Sequence, residues 1–178
     1  FWFSKKKKID KKNRLFSKEL GGGVILDLGC YPLSLSVVIA KLIGNFSYEN
    51  IKILNKKNEI IETGVDVDSF LELDFGNSFV SNIKTSFKKN LGMQTKIKGE
   101  EGELIIENTW IGNPSLIKIN SKEKGLKEII IDCYDNIYSH EIENLSKCLL
   151  ENKKKPEFPI LTFNDTLENM KIIDKWLK

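Results

Sequence analysis

Between residues 23 and 43 apolar side chains occupy nearly every side of a helical wheel, among them Val24, Ile25, Leu28, Leu33, Val37 and Leu42, as in a helix enclosed by other layers. Gly44 ends it. Pro32 predicts a kink one turn above Leu28, because its ring collides with that carbonyl and it has no N–H to donate there. Beyond Gly44 the period becomes alternating and predicts strands at about 50–55, 59–63, 66–75, 78–88, 93–99, 103–107, 115–120 and 127–132. In the third and fourth of these, Val67, Ser69, Leu71, Leu73 and Phe75 share a face with Phe79, Ser81, Ile83, Thr85 and Phe87 across a Gly76-Asn77 turn. They predict an antiparallel hairpin with one buried face. Asp66, Asp68, Glu72 and Asp74 fall on the other face, with Phe70 and Val80, which leaves it for solvent or a subunit contact.

The last quarter returns to helix at about 137–151, with Ile142, Leu145, Cys148 and Leu149 on one side, and at about 164–177, with Leu167, Met170, Ile173 and Leu177. Thr162 and Asp165 have capping-box spacing. Helix, then strands, then helices, without strand-helix-strand alternation, predicts an α+β fold: a predominantly antiparallel open β-sheet with helices packed on one face. Residues 1–19 are a basic, polar lead-in to the same domain, and 20–178 form its body. Phe1 in place of Met is the start expected of a piece of a longer protein.

The 178 residues, 40% hydrophobic and 30% charged, suffice for a core of ordinary size. Twenty-eight Lys plus Arg against 25 Asp plus Glu leave a net charge of +3, too small an excess to argue for nucleic acid or an anionic membrane as partner. The lysines at 5–8, 11 and 12 lack interleaved stacking aromatics and read as a solvated surface. Gly21 to Ala40 is apolar over a membrane-spanning length, but Asp27, four glycines and Pro32 favour a helix inside a folded domain. Cys30, Cys133 and Cys148 are odd in number and widely spaced, so neither a disulfide framework nor a thiol metal site is expected, and a reducing cytoplasm is the natural location. A single histidine, His140, leaves no multi-histidine metal centre, and its place at a helix start beside Glu141 and Glu143 favours a structural role.

The chemistry concentrates in Glu19-Leu20-Gly21-Gly22-Gly23-Val24-Ile25-Leu26-Asp27-Leu28-Gly29-Cys30-Tyr31-Pro32. Asp27 and Tyr31 are four apart, hence on one helical face. The glycines allow another backbone or a ligand to approach closely, but they lack phosphate-loop spacing. Asp27 alone reads equally as a buried carboxylate satisfied by backbone donors or as a catalytic group. With Tyr31 it suggests a phenol that exchanges a proton with a substrate oxygen beside a carboxylate that binds hydroxyls. A tyrosine near its reference pKa of about 10 would need a cation to favour the phenolate. Arg14 stands just ahead, as a surface ion-pair partner or a ligand for an anionic group. Trp110 either packs over a substrate or closes a sheet edge.

This G-G-G-x-x-x-D-x-G-x-Y stretch resembles the start of the C-terminal domain of the glucose-fructose oxidoreductase, inositol dehydrogenase and rhizopine catabolism family of dehydrogenases. The resemblance continues through Gly64-Val65-Asp66-Val67-Asp68, Gly99-Glu100-Glu101-Gly102-Glu103-Leu104, Tyr138 with His140-Glu141, and the Asn164 to Trp176 helix. It implies the substrate and oligomerisation half of an NAD- or NADP-dependent oxidoreductase, with the cofactor held mainly by an absent N-terminal half. That half would also carry a Glu-Lys-Pro lysine. The implied substrate is a sugar, polyol or dihydrodiol, with Tyr31 as proton donor or acceptor, Asp27 orienting the substrate, and Arg14 and Trp110 as substrate contacts. Tyr at position 31, where many relatives have His, points to the branch containing dihydrodiol dehydrogenases. Alone, this half is expected to be inactive, to be a homo-oligomer through the open sheet face, and to need no metal, nucleic acid or membrane. The competing expectation is a non-catalytic ligand-binding or oligomerisation module of the same fold.

Overall fold

A computed structural model describes residues 1–111, 114–131 and 136–178; Cys133 and the predicted strand end at residue 132 lie outside them. The fold is α+β, as its pattern predicts, but the strands divide into two four-stranded sheets. These belong to two compact units, one of Phe1–Gly92 with Phe163–Lys178 and one of Met93–Thr162.

In the first unit, β1 (Trp2–Ser4), β2 (Lys52–Ile60), β3 (Asp66–Asp74) and β4 (Val80–Ser86) lie in the order β1-β4-β3-β2. The lead-in therefore joins the sheet: β1 pairs parallel to β4, with Phe3 opposite Thr85. The predicted hairpin is β3 and β4, in antiparallel register with Leu71 opposite Ile83. Its apolar face is buried at Val67, Leu71, Leu73 and Ile83. The two strands expected at 50–55 and 59–63 are one, β2, whose polar middle still pairs with β3 through irregularities near Ile53 and Glu59. A polar edge strand remains bonded along its inner side while its side chains face water.

The long helix begins as a π-helical stretch, Ile25–Gly29, and continues as α1 (Cys30–Ile43). The irregularity associated with Pro32 thus lies before it, and the proline occupies the first turn of α1, where a missing N–H costs little. The run Ile25–Ile43 is long and apolar enough to cross a membrane, and half of it is buried within the fold. Ser36 on α1 donates to the Pro32 carbonyl, and its hydroxyl lies 2.7 Å from that of Ser81 on β4.

The last helix of this unit, Phe163–Leu177, is turned from its expected face. Asp165, Asn169, Ile172, Ile173 and Trp176 are buried, whereas Leu167 and Met170 are 44% and 42% exposed. Trp176 is fully buried and donates its Nε1–H to the Phe70 carbonyl at 3.1 Å. A Cβ on Gly29 would come within 2.8 Å of its ring, so that glycine makes room for the indole. Asp165, almost wholly buried, accepts from Lys41 Nζ at 2.6 Å and from the Tyr48 hydroxyl at 2.9 Å. Burial, then the bond to Asp165, pushes the Tyr48 phenol above its ordinary range.

The second unit is a meander of β5 (Thr95–Gly99), β6 (Gly102–Ile106), β7 (Ser115–Ser121) and β8 (Gly125–Ile131), antiparallel throughout. Its helix, α2 (Tyr138–Leu150), leaves Ile142, Leu145 and Leu149 exposed, so the apolar side expected of it is not a buried face. The helix Phe163–Leu177 is α3.

Truncating Trp176 to Ala is expected to cost about 3–5 kcal/mol, as for other buried aromatics. Leu167→Ala should cost less than about 1 kcal/mol, because Leu167 stands on the exposed side of α3. Urea denaturation of both variants checks the order; equal losses would place the helix face where its pattern alone puts it.

Candidate active site

The three glycines introduce the helix, and each of the last two is hemmed in by the chain itself. A Cβ on Gly22 would lie 2.6 Å from the Leu15 carbonyl oxygen, and one on Gly23, at φ +115°, 2.3 Å from Asp66 Oδ1. The close approach they permit is therefore to this chain's own backbone and carboxylate, not to a phosphate. The Gly23 N–H donates to the Leu15 carbonyl at 2.9 Å and the Gly22 N–H to that of Ser17 at 2.8 Å. They lock the helix entrance onto the short 3₁₀ turn Arg14–Phe16. Asn13 caps this turn by accepting from the Leu15 N–H. Leu15 and Phe16 point into a core shared with Val24, Leu28, Val65, Val67 and Phe87, and Arg14 is left outside.

Held in this way, Arg14 comes to Asp27, with Nη2 3.5 Å from Oδ1. The Asp27 side chain is 21% exposed and that of Arg14 65%. At this length and exposure the ion pair stabilises by no more than about 1 kcal/mol. Tyr31, one turn further on and 53% exposed, sits edge-on to the Phe3 ring at 5.5 Å. Asp27 and Tyr31 are thus borne by the entrance to the long helix and Arg14 by the 3₁₀ turn packed against it, and all three retain access to solvent. Trp110 belongs to the second unit, half-buried in the turn after β6. His140 is exposed on α2, its Nδ1 3.9 Å from a Glu143 oxygen. Cys30, next to Tyr31, has its thiol pKa raised by burial and donates weakly to the Leu26 carbonyl. Among the described residues no group of three or more His, Cys, Asp or Glu side chains could hold a metal.

One residue of consequence was assigned to the wrong face by alternation. Asp66, expected on the outer side of the hairpin, is 5% exposed. Its Oδ2 accepts from the Ile25 N–H at 2.7 Å and from the Ser69 hydroxyl at 3.3 Å. No side chain near the start of the Ile25–Gly29 stretch caps it, so its first donors need an acceptor from elsewhere in the chain. A glycine run before an uncapped helix was the signal for such an acceptor. Burial raises the pKa of the Asp66 carboxyl, outweighing the opposing effect of the N–H and hydroxyl donors.

The fold has counterparts among solved structures. Over 97% of its length the chain superposes on half of 3-ketoreductase KijD10 from Actinomadura kijaniata, solved with NADP and TDP-benzene, at TM-score 0.76 and 15% identity. It likewise superposes over 98% of its length on half of the aldose-aldose oxidoreductase from Caulobacter crescentus, at TM-score 0.73 and 17% identity. The fold is accordingly that of a dehydrogenase C-terminal domain. Residues 1–105, more than half of the chain, match the model described as GFO/IDH/MocA C-terminal domain, and the chain belongs to that family. It is 29% identical over 176 residues to trans-1,2-dihydrobenzene-1,2-diol dehydrogenase of Xenopus tropicalis, covering 96% of this chain and 50% of that protein. With the Xenopus laevis protein of the same name the identity is 27%, over 93% of this chain and 49% of that protein. The chain thus spans about half the length of the curated relatives it matches.

The raised pKa of Asp66 fixes the sign of a pH effect. The folded chain holds this proton to higher pH than the unfolded chain, so the contribution of Asp66 to stability falls as pH rises through its folded value. Asp66→Asn keeps an acceptor for Ile25 without a charge, and should gain on the wild type between about pH 4 and about pH 7, the range above an ordinary aspartate pKa. Urea denaturation of both proteins at the two pH values tests this, and a constant difference between them would refute it.

Proposed function

We propose that the chain is the substrate-side half of an NAD(P)-dependent oxidoreductase that acts on a sugar, polyol or dihydrodiol by hydride transfer. The observation that carries this is the solvent-accessible phenol of Tyr31 one turn beyond the Arg14–Asp27 pair, on a helix entrance where Gly22 and Gly23 are hemmed in by the chain itself. The crowding at Gly22 and Gly23 fits a dinucleotide held mainly by a separate nucleotide-binding half. What the chain contributes fits the substrate side. When bound, the nicotinamide accepts or delivers the hydride.

In the oxidising direction Tyr31 Oη, as phenolate, takes the proton of the substrate hydroxyl while the carbon loses its hydride; in reduction the phenol returns that proton to the forming alcohol. A lysine from the nucleotide-binding half would favour the phenolate through its charge. Asp27, partnered by Arg14, accepts hydrogen bonds from neighbouring substrate hydroxyls and so fixes which carbon faces the ring. Arg14 also offers donors to an anionic substituent.

The names of the dihydrodiol dehydrogenase relatives favour a vicinal diol as substrate, with one hydroxyl assigned to Tyr31 and its neighbour to Asp27. Self-association through the outward sheet face accompanies this assignment: Leu54, Ile60 and Val80 stand exposed on the strands of the first sheet. The free thiols Cys30 and Cys148 suit a reducing cytoplasm.

In the complete oxidoreductase, Tyr31→Phe should lower kcat by about 100-fold or more, the usual scale of a lost general acid-base, with NAD(P) affinity unchanged. Steady-state kinetics together with cofactor titration measure the two quantities. Turnover unaffected by the substitution would end the proton-transfer role of Tyr31.

A further inference from the structure

We infer that Asp66 is a positioning residue of the Arg14–Asp27–Tyr31 site, its carboxylate setting the direction in which the first helical turn leaves the glycine run. Three independent contacts support this. Asp66 Oδ2 takes the Ile25 N–H at 2.7 Å, two residues before Asp27. Its Oδ1 occupies the space that a Cβ on Gly23 would claim, 2.3 Å from where that atom would be. The Ser69 hydroxyl, on the same strand, donates to Oδ2 and braces the carboxylate from the sheet side. The helix entrance is thereby clamped between β3 and the Arg14–Phe16 turn, which holds it from the other side through the Leu15 carbonyl and the Gly23 N–H.

A well-packed apolar residue would fill the same space, yet it would leave the Ile25 N–H buried without an acceptor. The chain instead keeps a buried carboxylate, whose ionisation burial opposes. This arrangement fixes an orientation as well as filling a space. Tyr31 follows Asp27 by four residues on the same continuous helical run, with the Phe3 ring edge-on beside it, so the direction of the first turn is passed on to the backbone that bears its phenol. Asp66 itself is buried and does not meet the substrate; it acts through the backbone that bears Asp27 and Tyr31.

The catalytic part of this inference rests on the proposed role of Tyr31, and the test separates the two. In the 178-residue chain carrying ¹³C-labelled tyrosine, the Tyr31 ring signal is assigned by its loss in Tyr31→Phe. Tyr48, bonded to Asp165, serves as an internal control. In Asp66→Ala the Ile25 amide is expected to exchange with solvent at least about tenfold faster, as for a locally opened turn. The Tyr31 signal should shift or broaden while that of Tyr48 stays in place. Asp66→Asn, which keeps the acceptor, should restore both towards wild type. Ile83→Val, a core change distant in sequence from the turn, controls for loss of stability alone and should leave Tyr31 unmoved. In the complete oxidoreductase, Asp66→Ala should lower kcat with little change in KM, with Asp66→Asn recovering most of the loss.

An unchanged Ile25 exchange rate or Tyr31 signal in Asp66→Ala overturns the inference, as does an equal Tyr31 shift in Ile83→Val. If Asp66→Ala does not fold, Ser69→Ala carries the readout, with Asp66→Asn as the near-wild-type reference: removal of the Ser69 brace should perturb Tyr31 measurably and in the same direction, and no change there overturns the inference. A displaced Tyr31 signal with unaltered kcat upholds Asp66 as the positioning group and counts against Tyr31 as the proton carrier.

Discussion

A helix whose first turn has no capping side chain of its own must take its acceptor from elsewhere, and Asp66 supplies it to Ile25 across 41 residues of sequence. Much of the first unit depends on that bond. The glycines that admit the carboxylate also admit the Leu15 carbonyl, so sheet, helix entrance and lead-in turn meet within a few ångströms. Leu15, Phe16, Val24 and Val67 close into one apolar cluster at that point. The polar contact determines where the apolar cluster forms, and the cluster keeps water from the polar contact.

Around this centre the helices are fixed by a few asymmetric contacts. Trp176 enters above Gly29 and reaches the Phe70 carbonyl, while its own carbonyl accepts from Asn58 on the edge strand β2. At the other end of α3, Asp165 draws in Lys41 from the end of α1 and Tyr48 from the connection beyond it. The ends of α3 are thus held by different chemistry, one by an indole and backbone carbonyls, the other by a buried charge. The reacting groups proposed for this chain lie at the entrance to the long helix, beside the first of these contacts.

Much of this was legible in the sequence. The hairpin face Val67, Leu71, Leu73 and Ile83 follows from strict alternation, since only one pleat face can be apolar. The long helix followed from the apolar run of residues 23–43, though only half of it is buried, and the family resemblance from the glycine-rich stretch together with the motifs after it. Three features were harder to read for physical reasons. The buried stripe of α3 includes Asp165 and Asn169, which a hydrophobic count assigns to water; Lys41, Tyr48 and Ser34, far off in sequence, supply polar partners opposite them. Asp66 opens its strand, where alternation has only one neighbour to define it. The polar run Asn55 to Glu59 lacks the apolar signature of a strand, but its backbone bonds to β3 need none. At the site, Asp27 and Tyr31 were identified by type and spacing, whereas the group that orients them was not, since its contacts are between residues far apart in sequence.

The buried carboxylate of Asp165 also constrains how this fold varies. With Lys41 and Tyr48 both donating to one nearly water-free oxygen, no single member of the trio is replaceable at low cost. Losing Lys41 takes the cation away from a buried carboxylate, and losing Asp165 takes the shared acceptor from two donors, one of them cationic. The inexpensive alternatives are the intact trio or an apolar replacement of all three, with intermediates disfavoured from either side. Homologous chains should therefore divide into two populations at these positions, and a phylogeny of the family should show the three residues gained or lost together.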